Sequence, residues 1–367
     1  MKSKVFFVVP YYSGSHKYWA DNICRLGNLN YHLETMSGRH WKWRMHGSAI
    51  HLAEVYNQMP NEFDLVLCST MLDVSLFKSI SNCTVPIVYY MHENQLTYPY
   101  SDSDNRSQEN FHYGFINYKS CLAADLVLFN SEFHRSEFLT ALGNLLSRLP
   151  DYIDSQAEVQ KIWEKSQVNY VGLDLDDMQP EGPIERSTAH TEPTLLWNHR
   201  WEHDKNPALF LELCDHLKGK GQAFNLILLG QEGNASFVKE QFHHTYESHI
   251  LHSGYADTRQ EYFKLLGRAY LLPVTADHDF YGLSVLEAIY FQATPLLPKG
   301  KVYGEFINES QYHQNYYTSK QEFFDKTRYL LSSSPPTIEK TFFSHHNVKI
   351  TVSNLESILS NVANNTN

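Results

Sequence analysis

The chain has 367 residues, 42% apolar and 19% charged, enough for two domains with cores of their own and unlike the composition of a disordered chain. Its formal charge of −11 argues against the broad basic footprint of nonspecific nucleic-acid binding, while leaving room for a local basic patch. Five scattered cysteines without a CxxC pair, and histidines whose closest pairings are neighbours such as His243-His244 and His345-His346, predict neither a disulfide framework nor a metal site.

In chain order, Lys4 leads into the apolar run Val5 to Pro10. That run is too short for a signal peptide and has no small-residue cleavage site, so it predicts a first buried strand. No other apolar run reaches bilayer-spanning length, which makes the cytoplasm the expected location and any membrane attachment peripheral. The strand ends in Pro10-Tyr11-Tyr12-Ser13-Gly14-Ser15-His16-Lys17, ahead of a helix expected from near Tyr18. A glycine-containing turn before a helix offers free amides to a phosphate or sugar oxygen; an ordinary turn in which Gly14 supplies an unusual backbone angle explains the same residues.

Arg39-His40-Trp41-Lys42-Trp43-Arg44-Met45-His46 interleaves cations with two tryptophans, the combination that holds phosphates and stacks unpaired bases. The alternative is a loop whose tryptophans fill the edge of a core. The runs Asp64 to Cys68, Val85 to Tyr90 and Leu126 to Phe129 lack strict alternation, as strands covered on both faces do, and predict a parallel sheet with helices on either side. His92-Glu93-Asn94 follows directly on the strand taken through Met91, at a ligand-facing strand end; a structural histidine satisfied by backbone is the competing account.

Residues 171–193, polar, acidic and proline-containing, predict the connection between an N-terminal domain of 1–170 and a C-terminal domain of 194–367. The tail of the latter carries a weakly helical stretch near Val352 to Val362 and an Asn-rich end expected to fray. A second α/β series runs through Thr194 to Asn198, Leu226 to Gly230 and Ala269 to Val274. Two doubly wound, Rossmann-like domains facing a central cleft are the predicted architecture.

In this second series, Asn198 is followed by His199-Arg200-Trp201-Glu202-His203-Asp204-Lys205-Asn206-Pro207. Arg200 and Lys205 lie just past a strand end, where doubly wound sheets bind ligands, and two cations there can neutralise a diphosphate. A solvated loop with charge pairs such as Arg200 to Asp204 is the alternative. Further on, Asp277 to Ala288 runs from a strand end through Tyr281 and Gly282 into a helix. Gly282 and Leu283 would present amides to a phosphate, while Asp279 and Glu287 accept hydrogen bonds from sugar and ribose hydroxyls. Alternatively, Asp279 is a helix N-cap and Glu287 a surface carboxylate.

Arg200 and Lys205 resemble the Arg-x4-Lys pair, and Asp279 to Glu287 the Glu-x7-Glu signature, of retaining GT-B glycosyltransferases of family four, with aspartate where that family usually has glutamate. A closer resemblance covers most of the chain. Ser13 to Lys17, Trp41 to Arg44, Tyr90 to Pro99, Tyr113 to Phe115, Phe129 to Ser131 and His199 to Lys205 look like the tRNA-queuosine α-mannosyltransferases. The resemblance implies transfer of mannose from GDP-mannose, with retention and without a metal, to the cyclopentenediol of queuosine at the wobble position of aspartate tRNA.

It also implies roles. His92, Arg200, Lys205 and Asp279 would be catalytic, and Gly14, Arg200, Lys205, Asp279, Tyr281, Gly282, Leu283 and Glu287 would bind the donor. Ser15, His16, Lys17, Arg39, Trp41, Lys42, Trp43, Arg44, Glu93 and Asn94 would meet the acceptor. The partners implied are a nucleotide sugar and a tRNA anticodon loop carrying queuosine, with no membrane and no obligate protein partner. Competing readings are a lipid or glycan acceptor, a nucleotide-sugar epimerase on the same scaffold, and a noncatalytic tRNA-binding module.

Overall fold

The computed structural model describes residues 2–60, 62–99, 109–150, 154–182, 192–333 and 338–364. The chain divides into two compact units, Met1–Gly172 with His346–Asn367, and Leu173–His345.

The first unit holds β1 (Lys4–Tyr12), β2 (Asn30–Ser37), β3 (Leu65–Ser69), β4 (Ile87–Met91), β5 (Leu126–Phe129) and β6 (Ser166–Val168). They form one parallel sheet in the order β2-β1-β3-β4-β5-β6. Val5 to Val9 of β1 are all fully buried, because a parallel sheet needs helical crossovers and these cover both faces. Phe6, Val66 and Tyr89 pack with Leu52 and Tyr56 of helix Trp41–Gln58.

The second unit repeats the plan with β7 (Thr194–Asn198), β8 (Asn225–Leu229), β9 (Ile250–Ser253), β10 (Leu271–Pro273), β11 (Thr294–Pro298) and β12 (Tyr316–Tyr317). The order is β12-β11-β10-β7-β8-β9, again parallel. Trp197, Trp201, Phe210 and Phe242 centre its core, with the two indoles stacked 5.0 Å apart. From β7 the chain builds outward to β8 and β9, then returns to lay β10 on the other side of β7. The sheet order thus reverses between β7 and β10, the place where open α/β sheets form crevices at their carboxyl ends.

Two expectations about boundaries are corrected. The C-terminal tail groups with the first unit, not with the second. Its helix, Val348–Asn364, buries Val348, Thr351, Val352, Leu355, Leu359 and Ala363, one face at helical spacing. Glu356 fastens that helix by accepting from the amide of Leu29 at 2.7 Å and the hydroxyl of Tyr31 at 3.1 Å. Ordered helix reaches Asn364; the rest of the Asn-rich end lies outside the described residues. The expected connection at 171–193 begins as packed chain, with Leu173 and Met178 buried, and residues 183–191 lie outside the described residues. Among the described residues no helix is long and apolar enough to cross a membrane.

Candidate active site

The reversal between β7 and β10 sets the loop after β7 against the loop after β10. Their backbones join where the amide of Asp277 donates to the carbonyl of Asp204 at 2.8 Å and Thr275 Oγ1 donates to the carbonyl of Lys205 at 2.7 Å. The loop after β8 braces the same segment from the other side. Trp201 N donates to the carbonyl of Gln231 at 3.0 Å, and a Cβ on Gly230, at φ +109°, would fall 1.9 Å from the carbonyl oxygen of His199. Only glycine allows that approach.

Lys205, in a short 3-10 turn at His203–Lys205, is 8% exposed. Its ammonium donates to Asp279 Oδ1 at 2.8 Å and to the carbonyl of His278 at 2.9 Å, and pairs with Asp204 Oδ2 at 2.8 Å. An ammonium has three protons, so all are committed. Burial alone would lower its pKa, but Asp279 and Asp204 more than reverse that and raise it. Burial likewise opposes the charge of Asp279; Lys205 and His199, with hydrogen bonds from Lys205 and the Tyr303 hydroxyl, bring its pKa down to about 2.

Of the two cations expected at this strand end, Lys205 is thus buried and paired, and it is Arg200 that stands half-exposed, with Glu202 at 3.1 Å. The Arg200 to Asp204 pair offered as an alternative gives way to Arg200 with Glu202 and Asp204 with Lys205.

Helix Leu283–Tyr290 starts at Gly282, which sits at φ 78° and offers no side-chain cap. The first amides of a helix have no intrahelical partner and carry the positive end of its dipole. Gly282, not Asp279, is the N-cap. Tyr281 is buried against Phe306. Glu287 is buried too, not a surface carboxylate, and accepts from the Tyr262 hydroxyl at 2.7 Å. Burial raises its pKa, and that hydrogen bond offsets the rise only in part. Tyr262 is held in turn by Asn198 Nδ2 at 3.0 Å.

In the first unit, His92 lies just past β4, 4% exposed, its ring 4.1 Å from that of His16 and 4.9 Å from that of Trp19. Burial, with His16 and His134 nearby, holds its pKa well below the ordinary imidazole value. Glu93 accepts from Thr70 Oγ1 at 2.8 Å and lies 2.9 Å from His16 Nε2. Asn94 corrects the expectation of an acceptor contact. It is fully buried, its Oδ1 accepts from the amides of Leu96 and Thr97 at 2.9 and 3.0 Å, and its Nδ2 donates to Thr97 Oγ1. It shapes the turn after the strand.

The first helix begins at Gly14, at φ 51°, four residues before its expected start. Gly14, Ser15, His16 and Lys17 thus form its first turn. Gly14 and Ser15 face solvent and His16 is buried, while Lys17 pairs with Asp21 one turn on, at 2.5 Å. The basic-aromatic segment is helical as well, from Trp41, so Trp41 and Trp43 diverge. Trp41 packs against Tyr113, 5.1 Å between rings; Trp43 is 68% exposed. Lys42 lies beside Trp41, Arg39 is exposed, and Arg44 donates to Ser37 Oγ at 2.8 Å. His40, Trp41, Lys42, Trp43, His46 and Tyr113 line an open depression of about 460 Å³.

Sequence reasoning missed His199, Tyr262 and Tyr303. His199 is 4% exposed, and burial brings its pKa down to about 4; it stood unremarked inside the string that named Arg200 and Lys205. Tyr262 and Tyr303 come from distant elements and carried no local signal. Among the described residues, no group of three or more His, Cys, Asp or Glu is placed to hold a metal ion.

Residues 4–173 match the family model described as tRNA-queuosine alpha-mannosyltransferase N-terminal, and residues 181–340 match that of glycosyl transferases group 1. A Drosophila melanogaster protein named tRNA-queuosine alpha-mannosyltransferase is 30% identical over 321 residues, which span 83% of this chain and 81% of that relative. Among solved structures, HepE of Anabaena in complex with UDP-glucose superposes with a TM-score of 0.64 at 15% identity, over 98% of this chain and 100% of that one. Trehalose-6-phosphate synthase OtsA does so at 0.65 and 11%, over 98% and 99%. At such identities these two speak for the fold, which is GT-B.

Proposed function

We propose, from the premise that this chain belongs to the tRNA-queuosine α-mannosyltransferase family, that it moves mannose from GDP-mannose to the cyclopentenediol of queuosine in aspartate tRNA, with retention of configuration. The observation that carries the donor half is the meeting of Lys205, Asp279 and the N-terminus of helix Leu283–Tyr290 at the reversal of the second sheet, with Arg200 half-exposed on the loop that carries Lys205.

The diphosphate lies against the amides of Gly282 and Leu283 and the guanidinium of Arg200, and Lys205 releases one of its three protein acceptors to a phosphate oxygen. Asp279 accepts from a hydroxyl of the donor sugar and Glu287 from the ribose, with Tyr281 and Gly14 completing the donor set. Cations and helix amides take the place of a metal.

In the transfer, the bond from the anomeric carbon to the diphosphate oxygen breaks, and the acceptor hydroxyl bonds to that carbon on the face just vacated. Its proton passes to the departing phosphate, so no protein nucleophile is needed. Positioning and stabilisation of charge on the leaving group supply the rate. His92 contacts the sugar near the reacting carbon.

On the acceptor side, Arg39, Lys42 and Arg44 take backbone phosphates and Trp43 stacks an unpaired base, with Ser15, His16 and Lys17 nearer the modified nucleotide. A tRNA acceptor agrees with a cytoplasmic location. The test is incubation with queuosine-containing and queuosine-lacking tRNA and several nucleotide sugars, followed by mass spectrometry of the nucleosides. A hexose on queuosine from GDP-mannose alone is expected; tRNA binding with no hexose transfer from any donor would make the chain a binding module instead.

A further inference from the structure

Asn198, the last residue of β7, is buried and commits both amide protons of its side chain to other elements. Nδ2 donates to the Tyr262 hydroxyl on helix Arg259–Arg268 at 3.0 Å, and to the carbonyl of Ser284 in the first turn of helix Leu283–Tyr290 at 2.9 Å. A hydroxyl that accepts in this way still has its own proton to give, and that proton goes to Glu287 Oε2 at 2.7 Å. Hydrogen bonds of fixed sense therefore run from amide to phenol to carboxylate and end on one oxygen of a buried glutamate. Among the described residues no donor reaches its other oxygen, Oε1.

A carboxylate that only braced the fold would be costly here, buried with half of its acceptors unmade. Burial raises the pKa of Glu287, and the bond from Tyr262 is the foremost influence against that rise. Arg259 assists from the same helix as Tyr262, while Asp177 opposes, and these two pair with each other. We propose that Tyr262 and Asn198 are positioning residues for nucleotide recognition: they hold Glu287 by Oε2 so that Oε1 meets the hydroxyls of a ribose, and so make the site select ribonucleotides over deoxyribonucleotides. Both act through Glu287 and not on the nucleotide itself. The inference rests on the donor reading, in which Glu287 accepts from the ribose.

The test compares GDP with 2′,3′-dideoxy-GDP, which lacks both ribose hydroxyls, by calorimetry on the full chain. The parent should bind GDP about 100-fold more tightly, because a site built for a hydroxyl leaves buried groups unpaired when it is missing. Tyr262→Phe deletes only the phenol oxygen. It is expected to weaken GDP binding about 10-fold while leaving the dideoxy compound within about three-fold of the parent, so that discrimination shrinks to about 10-fold. Loss of affinity for both nucleotides alike, or undiminished discrimination, would overturn the positioning role. A parent that fails to discriminate, or binds neither, would strike the donor reading itself and the proposal with it.

A second readout is the acid limit of GDP binding. Without the phenol, Glu287 holds its proton to higher pH, so affinity should fail at a higher pH in Tyr262→Phe than in the parent. 3-Fluorotyrosine at position 262, a stronger O–H donor of nearly the same size, should move the limit the other way. It also keeps the proposal open to refutation if Tyr262→Phe folds poorly: no shift, or a shift of the sign expected for phenylalanine, would overturn it.

Discussion

Lys205 Nζ donates to Asp279 Oδ1 over 2.8 Å, and that bond ties the loop after β7 to the loop after β10 across the reversal of the second sheet. Each residue keeps the other charged. Burial works against both, and their mutual attraction, with Asp204 added on the lysine's side, outweighs it. The cluster is thus a preformed, nearly buried pair beside a helix N-terminus, while Arg200, on the same loop as Lys205, stands half-exposed and pairs with Glu202.

Because of that difference in burial, the two cations should respond differently to removal. Arg200→Ala is expected to lower turnover by on the order of 100-fold or more while changing unfolding free energy by less than about 0.5 kcal/mol, as exposed positions do. Lys205→Ala strips the cation from two carboxylates and should cost about 3–5 kcal/mol of stability besides activity. Denaturant titration beside steady-state kinetics checks both; equal stability losses would contradict the assignment of burial.

Acid sensitivity follows from His199 and Asp279. The folded pKa of His199 is depressed from 6.5 to about 4, so the unfolded chain takes up its proton first. Stability contributed here is present above about pH 6.5 and lost as pH falls toward 4, by up to about 3 kcal/mol. Asp279, depressed from 3.8 to about 2, adds a further loss only below about pH 4. His199→Gln should flatten unfolding free energy between pH 6.5 and 4; an unchanged slope would show that His199 titrates normally.

Gly282→Ala should be harmful for two separate reasons. The backbone is at φ 78°, and the new Cβ would lie 2.9 Å from Tyr303 Cε1, pressing on the ring whose hydroxyl donates to Asp279. A stability loss of about 1–2 kcal/mol is expected, together with weaker GDP binding by calorimetry. Lost stability with unaltered nucleotide affinity would detach this turn from the donor site.

Trp43, with most of its surface open, should matter for acceptor and not for fold. Trp43→Ala is expected to raise KM for tRNA by about 10-fold, the value of one base–aromatic stack, and to leave the melting temperature and the KM for GDP-mannose in place. A tRNA KM equal to the parent's would move the anticodon loop off this segment.

Strands covered on both faces announced themselves in the sequence: β1, β3, β4, β5, β7, β8 and β10 were each expected near their observed places. Of those missed, β2, β6, β9 and β12 lie at sheet edges, while β11 is internal. β2 is only half-buried and mixes polar residues with apolar ones, β6, β9 and β12 have two to four residues, and β11 is Thr-Pro-Leu-Leu-Pro, whose prolines read as turn signals. The motif around Arg200 and Lys205 was legible because it is contiguous. What contiguity hides is pairing: that Lys205 spends its protons on Asp204, His278 and Asp279, that Tyr262 holds Glu287, and that Glu356 anchors the last helix beside Leu29. Apart from the pairing of Lys205 with its neighbour Asp204, those contacts join residues tens to hundreds of positions apart and exist only once the sheets have formed.

The central claim is that the second unit grips a nucleotide diphosphate at the reversal between β7 and β10, and a crystal structure of the protein with GDP tests it most directly. The account predicts phosphate oxygens within hydrogen-bonding distance of the Gly282 and Leu283 amides and of Arg200, with Lys205 turned from one of its carboxylates toward them. Diphosphate bound elsewhere, with Lys205 still holding Asp204, Asp279 and the carbonyl of His278, would contradict it.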